Sequence, residues 1–143
     1  MDSSLMSLAE SATKYRYNCP RMTEENILDI KMGRHPLQEL CVSTYVPNDC
    51  RLAGGINAVE TGSEASGQPV QFASTILLTG PNFSGKSVYL KQVALITYMA
   101  HIGSFVPAES AVVGITDKMF TRLQTRESVS RVFTSDPPCG GSL

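Results

Sequence analysis

Gly80-Pro81-Asn82-Phe83-Ser84-Gly85-Lys86-Ser87 has the G-x-x-x-x-G-K-S/T spacing of a phosphate-binding loop, and it lies between an apolar strand-like run and a helix-like run. Two glycines let the backbone curl so that successive N–H groups face one cavity. A helix starting there adds its positive end. In that geometry Lys86 reaches the β- and γ-phosphates of a nucleoside triphosphate and Ser87 sets its hydroxyl on a magnesium ion. The loop therefore predicts nucleotide binding with Mg²⁺, and Lys86→Ala is expected to remove affinity while sparing the fold.

The flanks agree with that reading. Residues 70–78 (Val-Gln-Phe-Ala-Ser-Thr-Ile-Leu-Leu) form an apolar, β-branched run that Thr79-Gly80 ends, as a buried parallel strand would end. After the loop, Val88, Leu90, Val93, Ala94, Ile96, Met99, Ala100 and Ile102 run without proline to Gly103, which predicts a largely buried helix with Gly103 as its C′ residue.

Working outward, residues 4–17 place Leu5, Leu8, Ala9, Ala12 and Tyr15 at helical spacing, an amphipathic helix stopped by Asn18-Cys19-Pro20. Ile27-Leu28-Asp29-Ile30-Lys31-Met32 alternates as a strand with Leu28, Ile30 and Met32 on one side, and Gly33-Arg34-His35-Pro36 turns it. A second strand is expected over residues 40–46, closed by Pro47-Asn48-Asp49. The composition of residues 54–69 (Gly, Ser, Glu, Ala, Thr) predicts a surface loop. Ala111 to Gly114 and Met119 to Leu123 read as further short strands, and from Arg131 the chain has neither period and reads as a disordered tail. Strands and helices alternating from Ile27 predict an α/β fold with a mixed, partly parallel sheet.

At 143 residues, with 42% hydrophobic and 17% charged, the chain suffices for one core rather than two. A net charge of −1 gives no overall pull toward nucleic acid, so DNA contact has to come from a local patch or from other domains. The N-terminus lacks the basic start and apolar core of a signal peptide, which predicts an intracellular protein. Cys19, Cys41, Cys50 and Cys139 show no C-x-x-C spacing and no nearby histidine pair, so zinc is not expected. His35 and His101, each alone in sequence, read as hydrogen-bonded structural groups.

Several words together make the chain resemble the start of the ATPase domain of the MutS family of DNA mismatch-recognition and recombination proteins. The loop continues into Tyr89 and Gln92; Gly33, Arg34, His35 and Pro36 are followed by Glu39; Tyr45, Val46, Pro47, Asn48 and Asp49 match an aromatic-aliphatic-Pro-Asn-Asp segment; Gly103, Phe105, Val106, Pro107 and Ala108 match a turn; Phe120-Thr121-Arg122 matches a strand. Ser84 beside Gly85, and Tyr89 to Val93, resemble the meiotic branch.

The resemblance implies a phosphate-loop NTPase of the ABC-ATPase-like kind, incomplete here, with ATP and Mg²⁺ as ligands. Residues 1–20 would be the end of a helical lever domain, 21–130 the first part of the ATPase domain and 131–143 a divergent tail. It also implies a base pocket made by Tyr45, stacking on adenine, and Val46. DNA contact through other domains, a heterodimer with MutS protein homolog 4 and a nuclear location follow from the same likeness. Hydrolysis in that family needs an acidic pair at the end of a later apolar strand and a serine-containing loop. Neither is found: Ala58-Val59-Glu60 precedes the loop, and residues 113–117, ending in Asp117, match a different strand. The likeness fades near Ser130, and the expectation is a fragment. Two alternatives stand beside an ATP-dependent clamp component: a non-catalytic product that binds nucleotide weakly or not at all, and an unrelated phosphate-loop ATPase.

Overall fold

A computed structural model describes residues 2–54 and 73–122. Along them run helix α1 (Asp2–Tyr15), strands β1 (Arg21–Thr23), β2 (Ile27–Gly33) and β3 (Asn48–Ala53), helix α2 (Lys86–His101) and strand β4 (Ser110–Gly114). The strands make one sheet in the order β1-β4-β2-β3, with β1 parallel to β4 and the other two pairs antiparallel. The expected α/β class with a mixed sheet holds. Strict alternation does not, because three strands precede α2.

The core forms where the inward residues of the sheet meet one face of α2. Ile30, Cys50, Ala111 and Val113 pack with Ile96 and Ala100, and Val106 and Ala108 close one side. Ile30, Ile96, Val106 and Val113 are essentially removed from water, which stabilises the fold by roughly 1.5–3 kcal/mol for each large aliphatic side chain. On the outer face Asp29 pairs with Arg51 across the β2-β3 ladder at 3.2 Å.

Strand β2 departs from simple alternation at its end. The register shifts between Ile30 and Gly33, and Met32 adopts φ 50°. This bulge leaves Met32 exposed and buries Gly33, so the expected placement of Met32 on one side with Leu28 and Ile30 is corrected. The Asp49 carboxylate stabilises it by accepting the Met32 N–H at 2.7 Å. The same bond explains why Asn48-Asp49 opens β3 instead of closing a strand.

Residues 40–46 form turns and irregular backbone, not the expected strand. Leu40 N–H donates to the Leu37 carbonyl at 3.3 Å and Cys41 N–H to that of Gln38 at 3.0 Å, so local bonds take groups at the start of the segment that a ladder would need. Helix α2 is half-buried, another correction: Gln92, Ile96, Thr97 and Ala100 face inward while Leu90 and Tyr98 are exposed. It ends as expected, with Gly103 at φ 78° and two closing bonds, Ser104 N–H to Met99 O and Gly103 N–H to Ala100 O.

The buried strand expected over residues 70–78 is also corrected. Residues 70–72 lie outside the described residues, and 73–78 form no strand. A parallel strand buried on both faces needs a bonded neighbour at each edge. Here the Ala73 carbonyl accepts the Ala53 N–H at 3.1 Å and the segment then leaves the sheet, with Leu77 89% exposed. Residues 119–122 are likewise not a strand, and Leu123, the loop expected over 55–69 and the tail expected from 131 lie outside the described residues. Strand β1, whose three residues give no periodic signal, pairs instead with β4.

Helix α1 is held at its end. The Arg34 guanidinium donates to the carbonyls of Tyr15 at 3.2 Å and Arg16 at 3.1 Å and pairs with Glu39, satisfying orphan carbonyls and complementing the helix dipole. Its Leu5 and Met6 are exposed.

Gly33 sits at a tight point between the sheet and α2. A Cβ there would stand 2.7 Å from the Gln92 side chain and 2.8 Å from Ile30 Cγ2. Gly33→Ala is therefore expected to destabilise the chain by about 1–3 kcal/mol, the usual cost of overpacking. Urea unfolding measures it, and an unchanged midpoint would contradict this packing.

Candidate functional site

The phosphate-type loop is built from three unusual backbone positions. Gly80, Phe83 and Gly85 have φ of 155°, 63° and 90°. Gly85 is the N-cap of α2, without a side-chain cap, so the helix presents its first N–H groups directly at the loop. Phe83 is the one non-glycine in the left-handed region here; such a residue costs about 1–2 kcal/mol. Its ring is 99% exposed, so packing does not offset that strain.

Lys86 folds over the loop. Its ammonium donates to the Gly80 carbonyl at 2.7 Å, to the Pro81 carbonyl and to Ser84 Oγ at 3.4 Å. These acceptors are neutral, and an anionic phosphate oxygen is a stronger partner for the same ammonium. The arrangement holds the cation at the loop and leaves it exchangeable.

Facing the loop is the segment after the Gly-Arg-His-Pro turn. His35, buried, accepts the N–H groups of Leu37 and Gln38 at Nδ1, both at 3.2 Å. Both bonds need a neutral ring, so the structural role expected for His35 is what the geometry shows. Burial pushes its pKa below the ordinary value; its own backbone hydrogen bond opposes this and the Lys91 charge adds to it. His101 is also structural: Nε2 accepts the Thr116 N–H at 2.9 Å, which leaves the Nδ1 proton for the Thr97 carbonyl at 2.8 Å.

The turn delivers Tyr45 to the loop side. Its hydroxyl donates to Gln92 Oε1 at 2.7 Å, and burial raises its pKa. Tyr89, one turn earlier on α2, donates its hydroxyl to the Asp49 carbonyl at 3.0 Å. Its pKa is raised, by burial first.

A cleft of about 740 Å³ lies between these parts. Of the ten residues predicted from sequence, Gly80, Pro81, Ser84, Gly85 and Lys86 line it from the loop side, and Tyr45 and Val46 from the other. Asn82, Phe83 and Ser87 are not among its lining residues; Ser87 is half-buried on the first turn of α2. The lining also includes Thr79, Asn48, Asp49 and Tyr89, which the sequence presented only as motif neighbours. Asp49 is the one carboxylate in the lining, and it is engaged by the Met32 N–H. Among the described residues no cluster of His, Cys, Asp or Glu could hold a metal.

The donor set fits a nucleoside triphosphate: an ammonium, a helix N-terminus and left-handed glycines at one end, an aromatic ring and an aliphatic side chain at the other. Ser87, expected from sequence to offer an oxygen to a magnesium ion, follows Lys86 on the first turn of α2 and does not line the cleft.

Comparison with known proteins points to one family. The family MutS domain V matches residues 76–135, five residues past the point at which the sequence reading lost the likeness. The DNA mismatch repair protein MutS of Rhodopirellula baltica is 42% identical over 127 residues, covering 87% of this chain and 12% of its own length. MutS of Porphyromonas gingivalis is 44% identical over 129 residues, covering 88% of this chain and 13% of its own. MutS protein homolog 5 of Saccharomyces cerevisiae is 42% identical over 132 residues, covering 92% and 14%. The chain thus spans about an eighth of the length of the curated relatives it matches.

His35 makes the fold acid-sensitive. With its folded pKa depressed, the unfolded chain takes up the proton first. Stability is fully present above the ordinary histidine value of about 6.5 and is lost as pH falls through the folded value. His35→Asn is expected to flatten the dependence of the urea midpoint on pH between about 7 and 5; an unchanged slope would contradict the buried neutral imidazole.

Proposed function

Because the chain belongs to the MutS family, we propose that its cleft binds ATP with Mg²⁺ and that the protein acts on DNA as part of an ATP-dependent clamp. The observation supporting this is the convergence of two segments far apart in sequence, residues 45–49 and the loop 80–86, on one cleft. Ammonium, helix terminus and loop amides take the triphosphate, and the Tyr45 ring and Val46 take the base. Bound magnesium would neutralise phosphate charge, with Ser87 as the protein's oxygen ligand.

ATP serves here as a conformational ligand: it favours one state of the clamp by binding that state more tightly. The cellular setting we propose is meiotic recombination in the nucleus, in the manner of MutS protein homolog 5, with MutS protein homolog 4 as partner, or else mismatch recognition. Identity to the bacterial MutS proteins and to the yeast homologue 5 is equal within a few per cent, so the meiotic assignment rests on residues 84–93 as read above.

A second reading, a product that binds nucleotide weakly and does not hydrolyse it, is favoured by two observations. Lys86 is engaged by its own loop, and the apolar run Ile76-Leu77-Leu78 is uncovered. Titration of the chain with Mg·ATP separates the two. The leading reading expects saturable binding that Lys86→Ala weakens by about 10- to 100-fold, the worth of a charge-assisted hydrogen bond. Circular dichroism should be unchanged, since the partners of Lys86 all lie in the loop. Binding that is indifferent to the substitution would reject the site.

A further inference from the structure

Gln92 is the one fully buried polar side chain on α2, with no surface left to water. An aliphatic residue of the same length would fill that space without desolvating a carboxamide, which costs about 1–3 kcal/mol when left unpaired. Both ends of the carboxamide are used: Oε1 accepts the Tyr45 hydroxyl at 2.7 Å, and Nε2 donates to the Asn48 carbonyl at 3.4 Å. Both partners belong to the cleft wall opposite the phosphate-type loop. Tyr89 ties the next residue of that wall, through the Asp49 carbonyl, to the same helix. Gly33 leaves room for the amide.

From this we infer that Gln92 is a positioning residue, which fixes the direction of the Tyr45 ring axis, and so the place of the ring, for the base of a bound nucleotide and makes that wall move with the helix carrying Lys86. The inference rests on the nucleotide reading of the cleft and adds a residue that does not itself line it. A tyrosine ring hinged at Cα alone sweeps a wide arc. A second anchor at its hydroxyl restricts the arc, so the entropy of ordering the ring is spent on folding rather than on binding. Because Gln92 follows Lys86 by less than two helical turns, a shift of the helix start toward phosphate carries the ring with it.

The test compares affinities of the full chain for Mg·ATP and Mg·tripolyphosphate, which share the phosphates and differ in the base. Tyr45→Phe removes one oxygen and keeps the ring; Gln92→Met keeps the volume and removes both hydrogen bonds. Each is expected to lower the ATP-to-tripolyphosphate preference about fivefold, the equivalent of one hydrogen bond, and to leave tripolyphosphate affinity unchanged. The double variant should be no worse than either single one. A wild-type preference for ATP that both variants retain overturns this inference alone, and so does an equal loss of both ligands with a lowered melting temperature, which marks a purely structural glutamine. A wild type that binds both ligands equally overturns it while leaving the phosphate site standing. A wild type that binds neither overturns the nucleotide reading and this inference with it.

Discussion

The carboxamide of Gln92 has to be satisfied inside the protein, and much of the local architecture follows from that requirement. Its helix can approach the sheet only because Gly33 has no side chain. Gly33 is buried only because β2 carries a bulge, and the bulge is held by the Asp49 carboxylate. The carbonyl of Asn48 and the hydroxyl of Tyr45 then meet the amide. No buried side-chain nitrogen or oxygen among the described residues is left without a partner, as expected where each such omission costs on the order of 1–3 kcal/mol. One polar group thereby links α2, the β2-β3 connection and the cleft wall.

The motif words that carry the family likeness divide into structural and ligand-facing parts. Gly33 admits the helix, Arg34 closes the end of α1, and His35 folds the following turn around a neutral ring. Val106 bridges to Asn18, and the Pro107 carbonyl accepts the Arg34 N–H at 2.7 Å. These residues frame the cleft without entering it. The loop residues do the opposite: they contribute little to the core, adopt strained or left-handed backbone, and expose their polar groups. A stretch kept in poor local geometry without a packing reason is what a ligand site looks like in physical terms.

Much of this could be read from sequence where the signal is local. The alternation of residues 27–31, the existence of helix α2 after the loop, the terminating Gly103 and the short strand β4 each depend on nearby residues and came out as expected. The failures share a cause. Residues 73–78 and 40–46 have strand composition, but a strand exists only when another edge accepts its hydrogen bonds, and that edge is set by the rest of the fold. Residues 40–46 lose theirs to local turns, whereas 73–78 meet the sheet only at Ala73. Conversely, β1 and the start of β3 are strands because partners distant in sequence, β4 and the bulge of β2, recruit them. The cleft was legible in part: the loop by its spacing, and Tyr45 through family likeness. The link through Gln92 was not, since a glutamine in an apolar helix gives no sign of which hydroxyl it will meet.

The central claim is that residues 45–49 and the loop 80–87 form the two walls of one nucleotide site. Amide chemical-shift mapping of the labelled chain during titration with Mg·ATP tests it most directly. The account predicts that both segments shift together, with the same midpoint and with smaller changes along α2 near Gln92. Shifts confined to the loop, or spread over surfaces away from the cleft, would contradict it.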